Sequence, residues 1–254
     1  MTPKSAALLA GTVLFVFGSL FTVLISYKVP TTFVLGGYAT SMTGRTTSQR
    51  KNAGLAAAAI DGVRIGPGAI FSYNQVVGSW SIQPSYVRAP VSFDGTVVLA
   101  VGGGVCQTSS TLYNAALLAG LDIVERHPHL IAPGYIPAGR DAAVAWPGVD
   151  LRIRNPWPWP VRLFATIKGQ VLDVRVTSLE RPSEQFVVTT RVVRVEIPEK
   201  VGRKGPLGMR GSVGSTGFDM LAFRTRYKRG VAPLREFLSE DHYARVDEVR
   251  PLVQ

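Results

Sequence analysis

The sequence predicts an α+β fold: an antiparallel sheet with a short cysteine-bearing helix packed on it, an N-terminal transmembrane helix before it and a small β-rich C-terminal unit after it. Three observations predict this. Apolar residues recur at helical spacing in two Ala-rich stretches, 49–60 and 106–119. From Ala142 onward apolar and polar residues alternate, with tight turns between the runs. At the N-terminus, Ala6 to Tyr27 carries no charge and is rich in Leu, Val, Phe, Ala and Gly. The chain therefore divides into 1–28, an anchor; 29–183, the main domain; and 184–254, the C-terminal unit.

The apolar run of roughly 22 residues is long enough to cross a bilayer core. Lys4 and the α-amino group precede it and Lys28 follows, which favours a cytoplasmic N-terminus and an extracytoplasmic body: a single-pass cell-membrane protein. The competing signal-peptide reading needs small residues before a cut site, and Thr22 to Tyr27 offers no such pair. Thr40 to Arg50, rich in Ser, Thr and Gly, reads as exposed. Ser48 is a candidate cap for a helix over 49–60, ended by Asp61-Gly62. Gly66-Pro67-Gly68 turns the chain into a short strand, 69–73, and Tyr86 to Val101 is β-type around a turn at Phe93 to Thr96. The second helix runs from Cys106 to Ala119 with Gly120 as its cap. Its face of Leu112, Ala115, Ala116 and Ala119 is narrow and suits close packing on a sheet.

Leu151 and Ile153 then alternate with Arg152 and Arg154. Val161, Leu163, Ala165 and Ile167 share one face, Lys168-Gly169-Gln170 turns the chain, and Leu172, Val174 and Val176 return on a partner strand. Between these runs, Pro156, Pro158 and Pro160 exclude a central strand. Trp157 and Trp159 among them either cap the core or offer a stacking surface for a sugar. In the C-terminal unit 187–197, 221–227 and 244–249 read as strands, and Gly202 to Gly217 as a glycine-rich basic loop. His242, beside acids, reads as a surface residue.

The 254 residues are 46% hydrophobic and 18% charged, the balance of a folded chain. A formal net charge of +11 suits anionic partners such as a wall polymer or anionic lipid. No zinc finger, aromatic RNA-binding signature or lysine-rich arm points to nucleic acid.

The chain has one cysteine, Cys106, placed where Gly102-Gly103-Gly104 runs into a helix. It has no partner for an intramolecular disulfide. Unpaired N–H groups and the helix dipole stabilise a thiolate there. Two of the three histidines, His127 and His129, follow soon after. Cysteine, histidine and helix start are the parts of a thiol acyl-transfer site. The bland alternative is a small buried hydrophobe. A zinc site of Cys106, His127, His129 and a carboxylate lacks an established spacing, and the triglycine lacks the Gly-Lys-Ser/Thr ending of a phosphate loop, so neither a metal nor a cofactor is expected.

Residues Tyr38 to about Leu179 resemble the VanW family. The resemblance is carried by Gly102 to Gln107 with Ser109, Thr111, Leu112, Tyr113, Asn114 and Ala115, by Glu125 to His129, and by Tyr135 to Ala142. Gly66 to Gly68, Phe71 to Asn74, Asp150 to Arg154, Asn155 and Pro160 also match; Ala69 and Ser85 depart from the Glu and Gly frequent in the family. The tail from Gln185 distantly resembles small G5-type modules. Because some VanW domains are L,D-transpeptidases, the resemblance implies peptidoglycan cross-linking through Cys106, with stem peptides as partners. Cys106 is then the nucleophile and His129 the base, chosen over His127 because the family motif holds a histidine more regularly there. Asp141 orients the imidazole, with Asp150 as alternate. Gly103, Gly104 and Gln107 form an oxyanion or substrate loop. Arg126, Arg140, His127 and Tyr113 are candidates for substrate binding. A papain-type hydrolase of stem peptides uses the same residues, and a non-catalytic wall-binding protein uses none of them chemically.

Overall fold

Strand β1, Phe33–Ser41, opens the structure, a computed structural model that describes residues 32–93, 96–203 and 214–251. The Ala6 to Tyr27 run and most of the Gly202 to Gly217 loop lie outside the described residues. Among the described residues no helix is long and apolar enough to cross a membrane.

The fold class differs from the α+β expectation. Among the described residues there are fourteen strands and three helices, so the protein is mainly β. The strands do not form one antiparallel sheet with a short helix on it. They split into five small sheets, one of them parallel, and the central one packs on a helix of 14 residues. The reason lies in sequences that read poorly as strands. Gly36-Gly37 interrupts β1, and Pro233 interrupts a long strand near the C-terminus.

The central sheet has the order β1-β9-β8-β2, with β2 at Arg64–Ile65, β8 at Val161–Lys168 and β9 at Val171–Ser178. The β8–β9 hairpin turns at Gly169, φ +58°, and sets Leu163 opposite Val176, Ala165 opposite Val174 and Ile167 opposite Leu172. The apolar face of these strands packs on two helices. Helix α1, Thr47–Ile60, begins at Thr46 in a reciprocal capping box with Gln49, and buries Ala53, Ala56, Ala57 and Ile60. Helix α3, Val105–Leu118, is buried almost all round. It lies so close to β1 that a Cβ on Gly36 would sit 2.3 Å from the Ala119 nitrogen. In Thr40 to Arg50, Ser41, Thr43, Gly44, Thr46 and Thr47 are exposed as its composition suggests, while Thr40, Met42 and Gln49 are buried.

A second sheet, β3-β7-β6, joins Ile70–Ser72, Arg152–Arg154 and Asp122–Glu125. Short helix α2, Tyr73–Val77, follows β3 directly. Strands β4, Arg88–Phe93, and β5, Thr96–Val101, form a hairpin that delivers the chain to the triglycine. In the C-terminal part, β10 (Glu184–Glu196), β12 (Gly217–Lys228) and β13 (Val231–Tyr243) form an antiparallel sheet. Strands β11, Lys200–Arg203, and β14, Glu248–Pro251, pair in parallel. Arg224 of β12 reaches the Leu121 carbonyl at 2.6 Å. Trp157 stacks on Trp159 at 5.4 Å, meets Phe186 of β10 edge-on and donates to the Ala119 carbonyl.

Candidate active site

Three glycines precede Cys106, and each is required by the protein's own packing. A Cβ on Gly102 would strike the Trp80 ring at 2.2 Å, one on Gly103 would meet the Pro90 carbonyl at 2.6 Å, and one on Gly104 the Gln49 carbonyl at 2.3 Å. Gly102 and Gly104 also have φ of +91° and +108°. Asn52 of α1 then pins the loop by donating to the Gly103 carbonyl at 2.9 Å. The missing side chains of Gly103 and Gly104 thus admit α1 and the β4–β5 hairpin.

Val105 and Gln107 turn their N–H groups back to the Gly102 and Gly104 carbonyls, at 3.0 and 3.1 Å. The Cys106 N–H makes no such bond among the described residues. The Gln107 side chain is buried and faces away, donating to Thr40 and to the Ser41 carbonyl at 3.1 and 2.9 Å. Gln107 therefore ties α3 to β1, and neither its amide nor its side chain is free for an oxyanion.

Small hydroxyls on α3 bring the rest of the site to Cys106. Ser109 donates to the Ala142 carbonyl at 2.6 Å, and Ser110 accepts from the Ala142 N–H at 2.9 Å. Asn114 donates to the Arg140 carbonyl at 2.6 Å and accepts from the Arg140 Nε at the same distance. Residues 140–142 are thereby clipped along the helix, with Asp141 between two anchored neighbours. Val144, two residues on, places its carbonyl 3.4 Å from the Cys106 Sγ.

Asp141 is fully buried and uses both carboxylate oxygens. Its Oδ2 accepts from the His129 backbone N–H at 2.7 Å and from His129 Nδ1 at 2.5 Å. Its Oδ1 accepts from Arg126 Nη2 at 3.0 Å and from the Tyr243 hydroxyl. Asp141 thus fixes the imidazole by its Nδ1 and leaves Nε2 as the nitrogen for the thiol. The imidazole lies near enough to Cys106 for the charges of the two groups to act on each other.

The electrostatics follow. Burial disfavours the thiolate, but the neighbouring His129 and its charge outweigh it and hold Cys106 below the free-thiol range. Burial also disfavours the imidazolium, yet its bond to Asp141 and the nearby Cys106 push His129 up to about 10. Against burial, His129 and Arg126 hold the Asp141 carboxyl below its usual range. Both shifts run in the direction of a thiolate–imidazolium pair beside a buried carboxylate.

Other candidates stand elsewhere or are already engaged. Arg126 is 5% exposed and directs its donors to the Asp141 carbonyl, the Asp141 carboxylate and Asp241. Tyr113 is buried beneath that guanidinium, 5.4 Å from ring centroid to Cζ. Arg140 holds Asn114 and lies over the Tyr38 ring. His127 is half-buried and bonds Glu125 at 3.0 Å. Asp150 accepts from Ser72, Asn74 and Leu151 and so anchors the start of α2. Two contributors have no sequence signal as site residues: Tyr243, which bonds Asp141, and Asp241, which bonds Arg126. Both come from β13, about a hundred residues after Asp141.

A family model described as "VanW like protein" matches residues 48–177. The chain is 42% identical over 144 residues to the protein YoaR of Bacillus subtilis, covering 57% of this chain and 48% of that one. It is 25% identical over 142 residues to the vancomycin B-type resistance protein VanW of Enterococcus faecalis, covering 54% and 52%. The chain spans about half the length of these curated relatives. No solved structure matches it. The family match covers half of the chain and contains Cys106, His129 and Asp141, and the protein belongs to the VanW-like family.

Proposed function

We propose that Cys106, His129 and Asp141 form a thiol acyl-transfer centre of the extracytoplasmic cell envelope that acts on peptidoglycan stem peptides as an L,D-transpeptidase does. The observation that carries this reading is the hydrogen-bonded arrangement of Asp141 on His129 Nδ1, with His129 acting in turn on Cys106. A histidine fixed by one nitrogen and charged by its environment activates a thiol and then supplies a proton. The resistance protein among the relatives supports an envelope setting.

In this mechanism the Cys106 thiolate attacks the carbonyl of the third stem residue, and the Cys106 N–H stabilises the oxyanion. The C–N bond to D-Ala breaks as the His129 imidazolium protonates the leaving amine, and a thioester remains on Cys106. The side-chain amine of a second stem attacks the thioester, His129 takes its proton, and a 3–3 cross-link forms as the thiolate leaves.

Incubation of the protein with disaccharide tetrapeptides, followed by mass spectrometry, tests this. Release of D-Ala, an acyl group on Cys106 and 3–3 dimers are expected, all lost in Cys106→Ser. Tripeptides without dimers under acceptor excess replace the proposal with papain-type hydrolysis. A thiol that alkylates normally yet forms no acyl-enzyme removes it in favour of wall binding alone.

A further inference from the structure

Arg45 differs from the other arginines around the site. Arg126 ends on two buried carboxylates and Arg140 on Asn114. Among the described residues, the Arg45 guanidinium has no carboxylate partner. It is half-buried and lies over the Tyr135 ring, 4.9 Å from the centroid. Tyr135 in turn donates to the Cys106 carbonyl at 3.0 Å and contacts Ser110 at 3.2 Å. The phenol lies close enough to both groups to be pushed up by Cys106 and pulled down by Arg45, beyond the larger effect of its own burial.

A second, independent path leads to the same place. Arg45 immediately precedes Thr46, the cap of α1, and the first turn of α1 rests on the cysteine loop: the Gln49 carbonyl occupies the space of a Gly104 side chain. No acidic residue lies in that first turn, and nearby Arg50 meets only neutral acceptors, the Arg45 carbonyl and Gln170. A guanidinium seated on an aromatic ring, with its planar fork unused, is organised in advance to take a carboxylate through two parallel hydrogen bonds.

We propose that Arg45, held on Tyr135 beside the Cys106 loop, is an anion subsite that binds a carboxylate of the acyl donor. The identity of that donor, a peptide with a free C-terminal carboxylate, rests on the acyl-transfer reading; the subsite itself does not. It fills the place in the site that Arg126 and Arg140 leave empty. It also selects donors whose leaving residue ends the chain.

Two alkylating reagents test the subsite without any turnover. Iodoacetate carries the carboxylate and iodoacetamide is its neutral counterpart; in both, the Cys106 thiolate displaces iodide. In the full-length protein, Arg45→Ala is expected to lower the ratio of iodoacetate to iodoacetamide rates by roughly two- to fivefold. Arg45→Lys retains part of that preference and Arg45→Glu lowers it further. An unchanged ratio across the three variants overturns the proposal. So does an equal fall in both rates, which makes Arg45 a residue for thiol activation or folding. If the protein acylates on tetrapeptides, Arg45→Ala also raises KM more for stems with a free C-terminal carboxylate than for their amides. Absence of acyl-enzyme, with the ratio falling in Arg45→Ala as expected, removes the transpeptidase reading and keeps the subsite.

Discussion

At the residue scale the chemistry rests on Asp141. Four hydrogen bonds converge on its carboxylate, two of them from His129. They keep it ionised although it is fully buried, and its charge sustains the imidazolium that lowers the Cys106 thiol. The alkylation rate of Cys106 against pH is therefore expected to show a midpoint below the free-thiol value of about 8.5. His129→Ala moves that midpoint up toward it, and an unmoved midpoint counts against the pair. Asp141 also makes a stability prediction. Its folded pKa is depressed, so its contribution is present above the unfolded value of about 3.9 and is lost as pH falls through the folded one. Asp141→Asn leaves Arg126 without its charge partner at this position and should cost roughly 3–5 kcal/mol near neutral pH. In urea titrations the gap between the two proteins should narrow below pH ~4. A gap independent of pH would mean that the cost is packing alone.

At the element scale, the parts the sequence makes legible are those with a local signal. The α1 and α3 spans are read to within two residues, and the β8–β9 hairpin with its Gly169 turn is read outright. The cap of α1 is read two residues too late, at Ser48. The chain caps the helix with Thr46, because Gln49 three residues on can return the hydrogen bond and complete a capping box. Cys106 is legible from the glycine loop and helix start, whereas the roles of His129 and Asp141 enter with the family resemblance. The strands with broken alternation are not legible: β1 holds Gly36-Gly37, and β13 holds Pro233 on the open edge of its sheet. Gly36 shows why β1 breaks the pattern. It lets the strand backbone touch the end of α3, and a Cβ there would also meet the Ala115 carbonyl at 2.6 Å. Neither contact is with a flexible side chain, so backbone must move. Gly36→Ala is expected to destabilise the protein by roughly 1–3 kcal/mol in urea unfolding, whereas Gly44→Ala, in open space, has only its positive φ to answer for. Equal costs at both positions would remove the close-packing argument.

At the scale of the whole molecule, the site depends on a strand that sequence reading passes over. The family match ends at residue 177, yet Tyr243 and Asp241 of β13 complete the support of Asp141 and Arg126. Tyr243 is itself fully buried, and its hydroxyl also accepts from the Gly139 N–H at 2.7 Å, so it ties the segment before Asp141 to the C-terminal sheet. Burial and the neighbouring Asp141 charge hold its phenol well above the usual range, so it remains a donor throughout. A hydrogen bond to a charged group contributes roughly 1.5–3 kcal/mol, and Tyr243→Phe should cost about that much. The coupling decides whether this is the Asp141 bond or general packing. In a double-mutant cycle, Tyr243→Phe in the Asp141→Asn background should cost less than in the native chain, because the carboxylate it serves is gone. Strict additivity would show that β13 braces the fold without acting on the carboxylate, and would leave His129 oriented by the residues of the family match alone.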